Sequence, residues 1–167
     1  DLGLMGIPWS EEYGGGGMDN LSLVIAIEEM AKVCVSTAVT VMAHTSLGSG
    51  PFALFGSDKQ KEKYLPKLSD GTMIGAFGLT EPNAGSDAGN TQTTAVLKDG
   101  KFIVNGQKVF CTNAGVAGVI IFTSKIVEDG EDKGIGALYV DANTEGLRFG
   151  EPEKKMGWKG SDTRSVY

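Results

Sequence analysis

Gly75-Ala76-Phe77-Gly78-Leu79-Thr80-Glu81-Pro82-Asn83-Ala84-Gly85-Ser86-Asp87 is the stretch at which the chain changes character. It opens as an apolar, strand-like run and stops at Thr80. Pro82 cannot continue a central strand and biases Glu81 to an extended conformation. Asn83, Ala84 and Gly85 turn tightly and leave backbone N–H groups uncovered, so an anion or a polar ring edge could approach closely. By composition alone the same residues also fit an ordinary strand and turn.

Before this stretch the pattern is helical. Residues 1–20 are irregular and glycine-rich, and the run Gly14-Gly15-Gly16-Gly17 has neither the Gly-Lys-Ser/Thr nor the GxGxxG context of a nucleotide loop. They predict a turn leading into a helix. Asp19 or Asn20 can cap a helix from Leu21, with Leu23, Ala26, Ile27, Met30, Ala31 and Cys34 on one buried stripe. Glu28, Glu29 and Lys32 fall off that stripe, and Cys34 reads as core. Residues 35–55 carry both β-branched and helical patterning, and their length favours a helix that weakens near Gly48 and Pro51. His44 is the single histidine. Without a neighbouring acid or nucleophile it reads as a packing or hydrogen-bonding residue. Ser57 and Gln60 have capping-box spacing, and the helix they start is expected to end at Pro66 and Asp70-Gly71.

After it the pattern is that of strands. Residues 94–98 and 101–105 flank Asp99-Gly100, the dipeptide of a type I′ hairpin. Further strands are predicted over 107–113, 119–127, 135–141, from Arg148 onward and over 163–167, with 128–133 a charged hairpin end. The expected fold class is α+β: a helical segment over residues 1–71, then an antiparallel β-barrel or sandwich over 72–167.

Bulk numbers limit the function. A net charge of −6 over 167 residues, with no basic stripe, argues against a nucleic-acid surface. No apolar run reaches the ~18 residues of a membrane span. Two cysteines, Cys34 and Cys111, fit neither a disulfide framework nor a zinc motif and suit a reducing compartment.

The segment FGLTEPNAGSD resembles the flavin-contacting signature of the acyl-CoA dehydrogenases. Asn105-Gly106-Gln107-Lys108-Val109-Phe110-Cys111-Thr112-Asn113-Ala114-Gly115 is similar to that family's NGxKxWIT(N)G segment, and Lys155-Met156-Gly157-Trp158-Lys159-Gly160-Ser161-Asp162-Thr163 to its KMGxxGSxT segment. The three stand in the family's order and spacing, and the similarity runs the length of the chain. It implies a middle β-barrel domain preceded by the late N-terminal helices, with the family's C-terminal helical bundle absent. It further implies FAD, an acyl-CoA substrate, electron transfer to an electron-transferring flavoprotein, a tetramer, and a bacterial cytoplasm or a mitochondrial matrix. In that family a glutamate removes the α-proton of a thioester while a hydride leaves the β-carbon for the flavin.

Carried over by motif, Phe77, Gly78, Leu79 and Thr80 line the flavin ring, and Gly85 and Ser86 approach its pyrophosphate. Ser86 also reaches the thioester. Phe110, Cys111 and Thr112 form the second contact strand, and Ala43 and Leu47 lie beside the acyl chain. Two departures stand out: Phe77 lacks the hydroxyl that a tyrosine offers in some relatives, and Phe110 stands where tryptophan is common. Barrel packing remains the alternative for Phe77 and Phe110, and helix core for Ala43 and Leu47. Lys154, Lys155 and Lys159 suit either CoA phosphates or solvent. No general base is assigned, because Glu28, Glu29 and Glu81 lack a matching context and the family's glutamate lies in the bundle. The chain alone is therefore expected to be inactive. An acyl-CoA oxidase or another flavoprotein on the same scaffold, and a non-catalytic binding module, are the rival readings.

Overall fold

Asp19 starts the first helix. Its carboxylate accepts the Ser22 N–H at 2.8 Å, satisfying one of the free donors of a helix N-terminus. In the computed structural model, which describes residues 2–167, α1 (Asn20–Val33) is followed by α2 (Val35–Ala43), a π-helical turn (His44–Ser49), α3 (Gly50–Phe55) and α4 (Asp58–Asp70). The glycine run before α1 is a closed turn. The N–H groups of Gly14, Gly15, Gly16 and Gly17 donate to the carbonyls of Glu11, Ser10, Gly6 and Trp9, so none is left for a phosphate.

Three helical expectations are corrected. Cys34 is exposed rather than core, because the chain turns there from α1 into α2 with extended backbone. Of the predicted α1 stripe only Leu23 is buried, while Leu21, Val24 and Ile25 face outward. Pro66 does not end α4. The helix passes through it and stops at Gly71, whose φ of 79° is the left-handed C-cap glycine favours. Tyr64, Leu65 and Leu68 are buried to 1% exposure or less on either side of the proline, and that packing outweighs the lost N–H bond. The capping box is present as expected, with Gln60 Oε1 accepting the Ser57 N–H at 2.8 Å.

The π-helical turn has a visible cause. A Cβ on Gly48 would lie 2.5 Å from the carbonyl carbon of Gly75, so the turn and the first strand touch backbone to backbone. His44, fully buried, joins the same two elements. The Gly75 N–H donates to Nδ1 at 3.0 Å, which places the proton on Nε2, and Nε2 donates to the Leu68 carbonyl at 2.8 Å. Burial lowers its pKa below the ordinary 6.5 and keeps the ring neutral.

The strands are β1 (Gly75–Gly78), β2 (Thr94–Lys98), β3 (Lys101–Asn105), β4 (Lys108–Thr112), β5 (Val119–Glu128), β6 (Glu131–Asp141) and β7 (Thr163–Val166). Asp99 and Gly100 both have positive φ, 51° and 73°, as a type I′ hairpin requires. Asp129 and Gly130 repeat this between β5 and β6. The helices-then-sheet order stands, but two pairings are parallel rather than antiparallel. β1 lies parallel to β5 with Gly75 to Gly78 opposite Val119 to Phe122. β2 lies parallel to the same strand further along, with Thr94 to Val96 opposite Lys125 to Val127. β1 and β2 thus follow one edge of β5 in one direction, and residues 79–93 leave that edge and return to it. β6 takes the other edge, antiparallel, and β4 and β7 form a separate two-stranded sheet. The strand expected from Arg148 reduces to a single bridge between Phe149 and Val166.

β5 divides the core. Val119 and Ile121 pack with Phe52, Tyr64, Leu65 and Leu68 of α3 and α4, while Ile120, on the other face, packs with Ala76, Cys111, Ala114 and Val166. The Phe52 and Tyr64 rings stack at 4.6 Å, and the Tyr64 hydroxyl donates to Asp141 Oδ1 at 2.8 Å, fixing α4 to the end of β6.

Candidate functional site

The end of β1 and the middle of β4 lie side by side. The Val109 N–H donates to the Thr80 carbonyl at 2.8 Å, and Cys111 Sγ donates to the Phe77 carbonyl at 3.3 Å. The structure therefore brings the first two sequence motifs together, and the end of the third joins them, with Thr163 opposite Thr112 and the Asn113 N–H donating to the Asp162 carbonyl at 2.9 Å. Between them β4 is irregular. Its register against β7 shifts between Lys108 and Cys111, and inside that shift Phe110 has a φ of 56°. A phenylalanine in the left-handed region is strained, and bulges of this kind re-aim side chains beside functional sites. Here the ring points outward and is 63% exposed. The barrel-packing alternative for Phe110 is thereby removed. Phe77 is half-buried against the α3–α4 core.

The Cys111 side chain is turned inward. Its thiol is buried, and burial with the nearby Asp162 carboxylate pushes it up to about 12, so it is inert near neutral pH. Leu79 is 42% exposed, and Thr80 and Thr112 are half-buried. Gly85 and Ser86 are exposed, and a Cβ added at Gly85 would meet nothing within 4 Å. Ala43 is buried at the end of α2, whereas Leu47, in the π-helical turn, is 49% exposed. Lys155 is committed internally, donating to the Ser161 carbonyl and to Thr163 Oγ1. Lys154 and Lys159 are exposed.

An open concavity of about 830 Å³ lies on the curled sheet, lined by β3, β6 and the segment around Gly146. Of the predicted cofactor residues it includes Gly78 alone, so it is not the predicted flavin surface.

The sequence reading passed over the ion pair beneath this edge. Lys108 Nζ donates to Glu81 Oε1 at 2.7 Å with both side chains at 5% exposure or less. Thr91 Oγ1 donates to the same carboxylate oxygen, the Gln92 N–H donates to Oε2, and the Thr93 N–H is shared between the two oxygens. Burial acts to raise the Glu81 pKa, but Lys108 and the hydrogen bonds of Thr91, Thr93 and Gln92 outweigh it and hold the carboxyl at about 2. A carboxylate so saturated cannot take a proton from a substrate. No short-range sequence signal links Glu81 to Lys108, a glutamate before a proline at a strand end and a lysine 27 residues later on another strand. Asn113 was also passed over. It is fully buried with a φ of 68°, and its Nδ2 donates to the Thr40 carbonyl of α2 at 3.0 Å. Its Oδ1 is buried with no partner among the described residues.

Comparison with known proteins agrees with this arrangement. Residues 1–72 match the acyl-CoA dehydrogenase N-terminal domain and residues 76–167 the acyl-CoA dehydrogenase middle domain. The chain belongs to the acyl-CoA dehydrogenase family. It is 46% identical over 164 residues to the short-chain specific acyl-CoA dehydrogenase of Clostridium acetobutylicum, covering 98% of this chain and 43% of that protein. Among solved structures, it is similar to a chain from work on the electron transferring flavoprotein of Acidaminococcus fermentans (TM-score 0.92, 44% identity, 98% of this chain and 43% of that one). It also resembles an acyl-CoA dehydrogenase complexed with FAD from Bacillus anthracis (TM-score 0.91, 41% identity, 99% and 28%). The chain spans less than half the length of each of these relatives.

Proposed function

We propose that the protein carrying this chain is an FAD-dependent acyl-CoA dehydrogenase that desaturates a short-chain acyl thioester and passes the electrons to an electron-transferring flavoprotein. The observation that carries this reading is the strained bulge of β4, which turns the Phe110 ring outward beside the hydrogen-bonded ends of β1 and β4. The residues fit FAD: an exposed aromatic face, the hydroxyls of Thr80, Ser86 and Thr112, and open space over Gly85. When bound, FAD supplies the acceptor for the hydride leaving the thioester β-carbon.

In this reading residues 1–71 supply the acyl-facing helices and residues 72–167 the flavin-facing sheet. Phe77, Gly78, Leu79 and Thr80 line one edge of the cofactor, and Phe110, Cys111 and Thr112 the other. Gly85 and Ser86 receive its phosphates through backbone N–H groups, and Ser86 orients the thioester. Leu47, exposed in the π-helical turn, and Ala43 beside it border the acyl chain. Glu81, saturated by its partners, is not the group that removes the α-proton. The protein works as a tetramer in the cytoplasm of a bacterium, or in the matrix of a mitochondrion. Among the described residues no helix is long and apolar enough to cross a membrane.

The test is anaerobic mixing of the whole protein with butyryl-CoA. Loss of the visible flavin band, and its return on adding an electron-transferring flavoprotein, is the expected result. Return driven by oxygen alone would favour an acyl-CoA oxidase, and a colourless protein would remove the flavin reading.

A further inference from the structure

β1 and β2 occupy the same edge of β5, and two residues of that edge, Thr123 and Ser124, have no partner between the stretches paired to β1 and to β2. Residues 79–93 leave the sheet opposite this gap. Lys108 fills it from β4. Its Nζ lies 3.2 Å from Thr123 Oγ1, 3.2 Å from the Leu79 carbonyl where the excursion departs, and 3.2 Å from Thr91 Oγ1 where it returns. Glu81, its ion-pair partner, accepts from Thr91, Gln92 and Thr93 at the returning limb. A second tie shapes the tip, where Glu81 and Ala84 exchange backbone hydrogen bonds of 3.0 and 3.1 Å. The two limbs are thus held together at their base by a buried charge pair and nearer the tip by the Asn90 Nδ2 bond to the Asn83 carbonyl at 3.3 Å, while Gly85, Ser86 and Asp87 remain exposed. A Cβ on Gly78 would come within 2.9 Å of the Lys108 side chain, so glycine at that point of β1 lets the lysine pass to the pair.

We propose that Glu81 and Lys108 are a positioning pair that sets the shape of the 79–93 excursion and thereby presents Thr80, Gly85 and Ser86 to the cofactor. The inference rests on the flavin reading above. It assigns Glu81 a task other than proton transfer: its lone pairs are spent on closing the base of the loop. Lys108 is itself the first residue of β4, so its bonds to Thr123 and Glu81 tie β4 as well as the excursion to β5. A buried pair stripped of one member leaves an uncompensated charge, whereas removal of both charges leaves packing largely intact. This difference separates positioning from simple stability.

The experiment uses the whole protein with Glu81→Gln, Lys108→Met and the double variant. Three quantities are read: hydrogen exchange of peptides covering 82–92 and of the β2–β3 hairpin, the FAD dissociation constant, and the visible circular dichroism of bound flavin. The double variant is expected to keep the hairpin's protection, gain exchange across 82–92, bind FAD at least tenfold more weakly and show an altered flavin dichroism. Wild-type exchange over 82–92 with wild-type FAD affinity in the folded double variant would overturn the proposal. If the double variant does not fold, Thr91→Val keeps both charges and removes one tie. It is then expected to show the same local changes to a smaller degree, and their absence would equally overturn the proposal. A wild-type protein that takes up no FAD would instead refute the flavin reading, while the exchange data would still report on the loop.

Discussion

Phe110, His44 and Gly48 show what single residues contribute. Phe110 holds a left-handed backbone that costs roughly 1–2 kcal/mol for a residue with a Cβ, and it keeps its ring largely in solvent. Phe110→Gly should leave the stability measured by chemical denaturation within about 1 kcal/mol of the parent, since relief of strain offsets the added chain entropy. Flavin retention should nevertheless fall. A loss of stability with normal flavin content would mean that the ring serves packing. His44 gives a pH signature. Its folded pKa is depressed below 6.5 by burial, so the unfolded chain binds the extra proton. Its contribution is present above that value and is lost as pH falls below it. The melting temperature should therefore drop between pH 8 and 5, with a shallower slope in His44→Gln. Glu81 follows the same sign in a lower window, since its stabilisation is present above 4.5 and is lost only as pH approaches 2. Gly48→Ala places a Cβ against Gly75 backbone that cannot yield. It should destabilise by about 1–3 kcal/mol in urea titrations.

At the scale of elements, local chemistry was readable wherever a short-range rule decided the outcome. Asp19 as a cap, the Ser57–Gln60 box and the Asp99-Gly100 turn each depend on a few adjacent residues, and each is present in the structure. Elements decided by distant packing were not readable. Pro66 sits inside α4 because Tyr64, Leu65 and Leu68 find partners on β5 and α3. The parallel placement of β1 and β2 depends on β5, whose residues follow them by some distance in the chain. The motifs identified which segments form the candidate site. The ion pair that closes the excursion stayed hidden, because Glu81 and Lys108 are joined only through the fold. The π-helical turn supplies a prediction at this scale. Leu47 is half-exposed, so Leu47→Phe should fold normally while reducing kcat/KM in a graded way for longer acyl thioesters. Each methylene of pocket length is worth about 1–3 kcal/mol, and an unchanged chain-length profile would remove the turn from the acyl pocket.

Over the whole molecule, the helical segment and the sheet are joined through His44, the Gly48–Gly75 contact and the Tyr64–Asp141 bond, so the two hold a fixed relation. Glu81 is excluded as a base, because its carboxylate is held by Lys108 and by the returning limb of the loop. A protein consisting of these 167 residues, given FAD and butyryl-CoA without oxygen, should leave the flavin oxidised, because proton abstraction needs a base in position. Bleaching at an enzymatic rate would place that base within this chain. The central claim, that the ends of β1 and β4 form the flavin surface, is tested most directly by Thr112→Val in the whole protein, which keeps shape and removes one hydroxyl. Flavin content and reduction potential are measured together. The account predicts weaker FAD retention or a shifted potential, and wild-type values for both would contradict it.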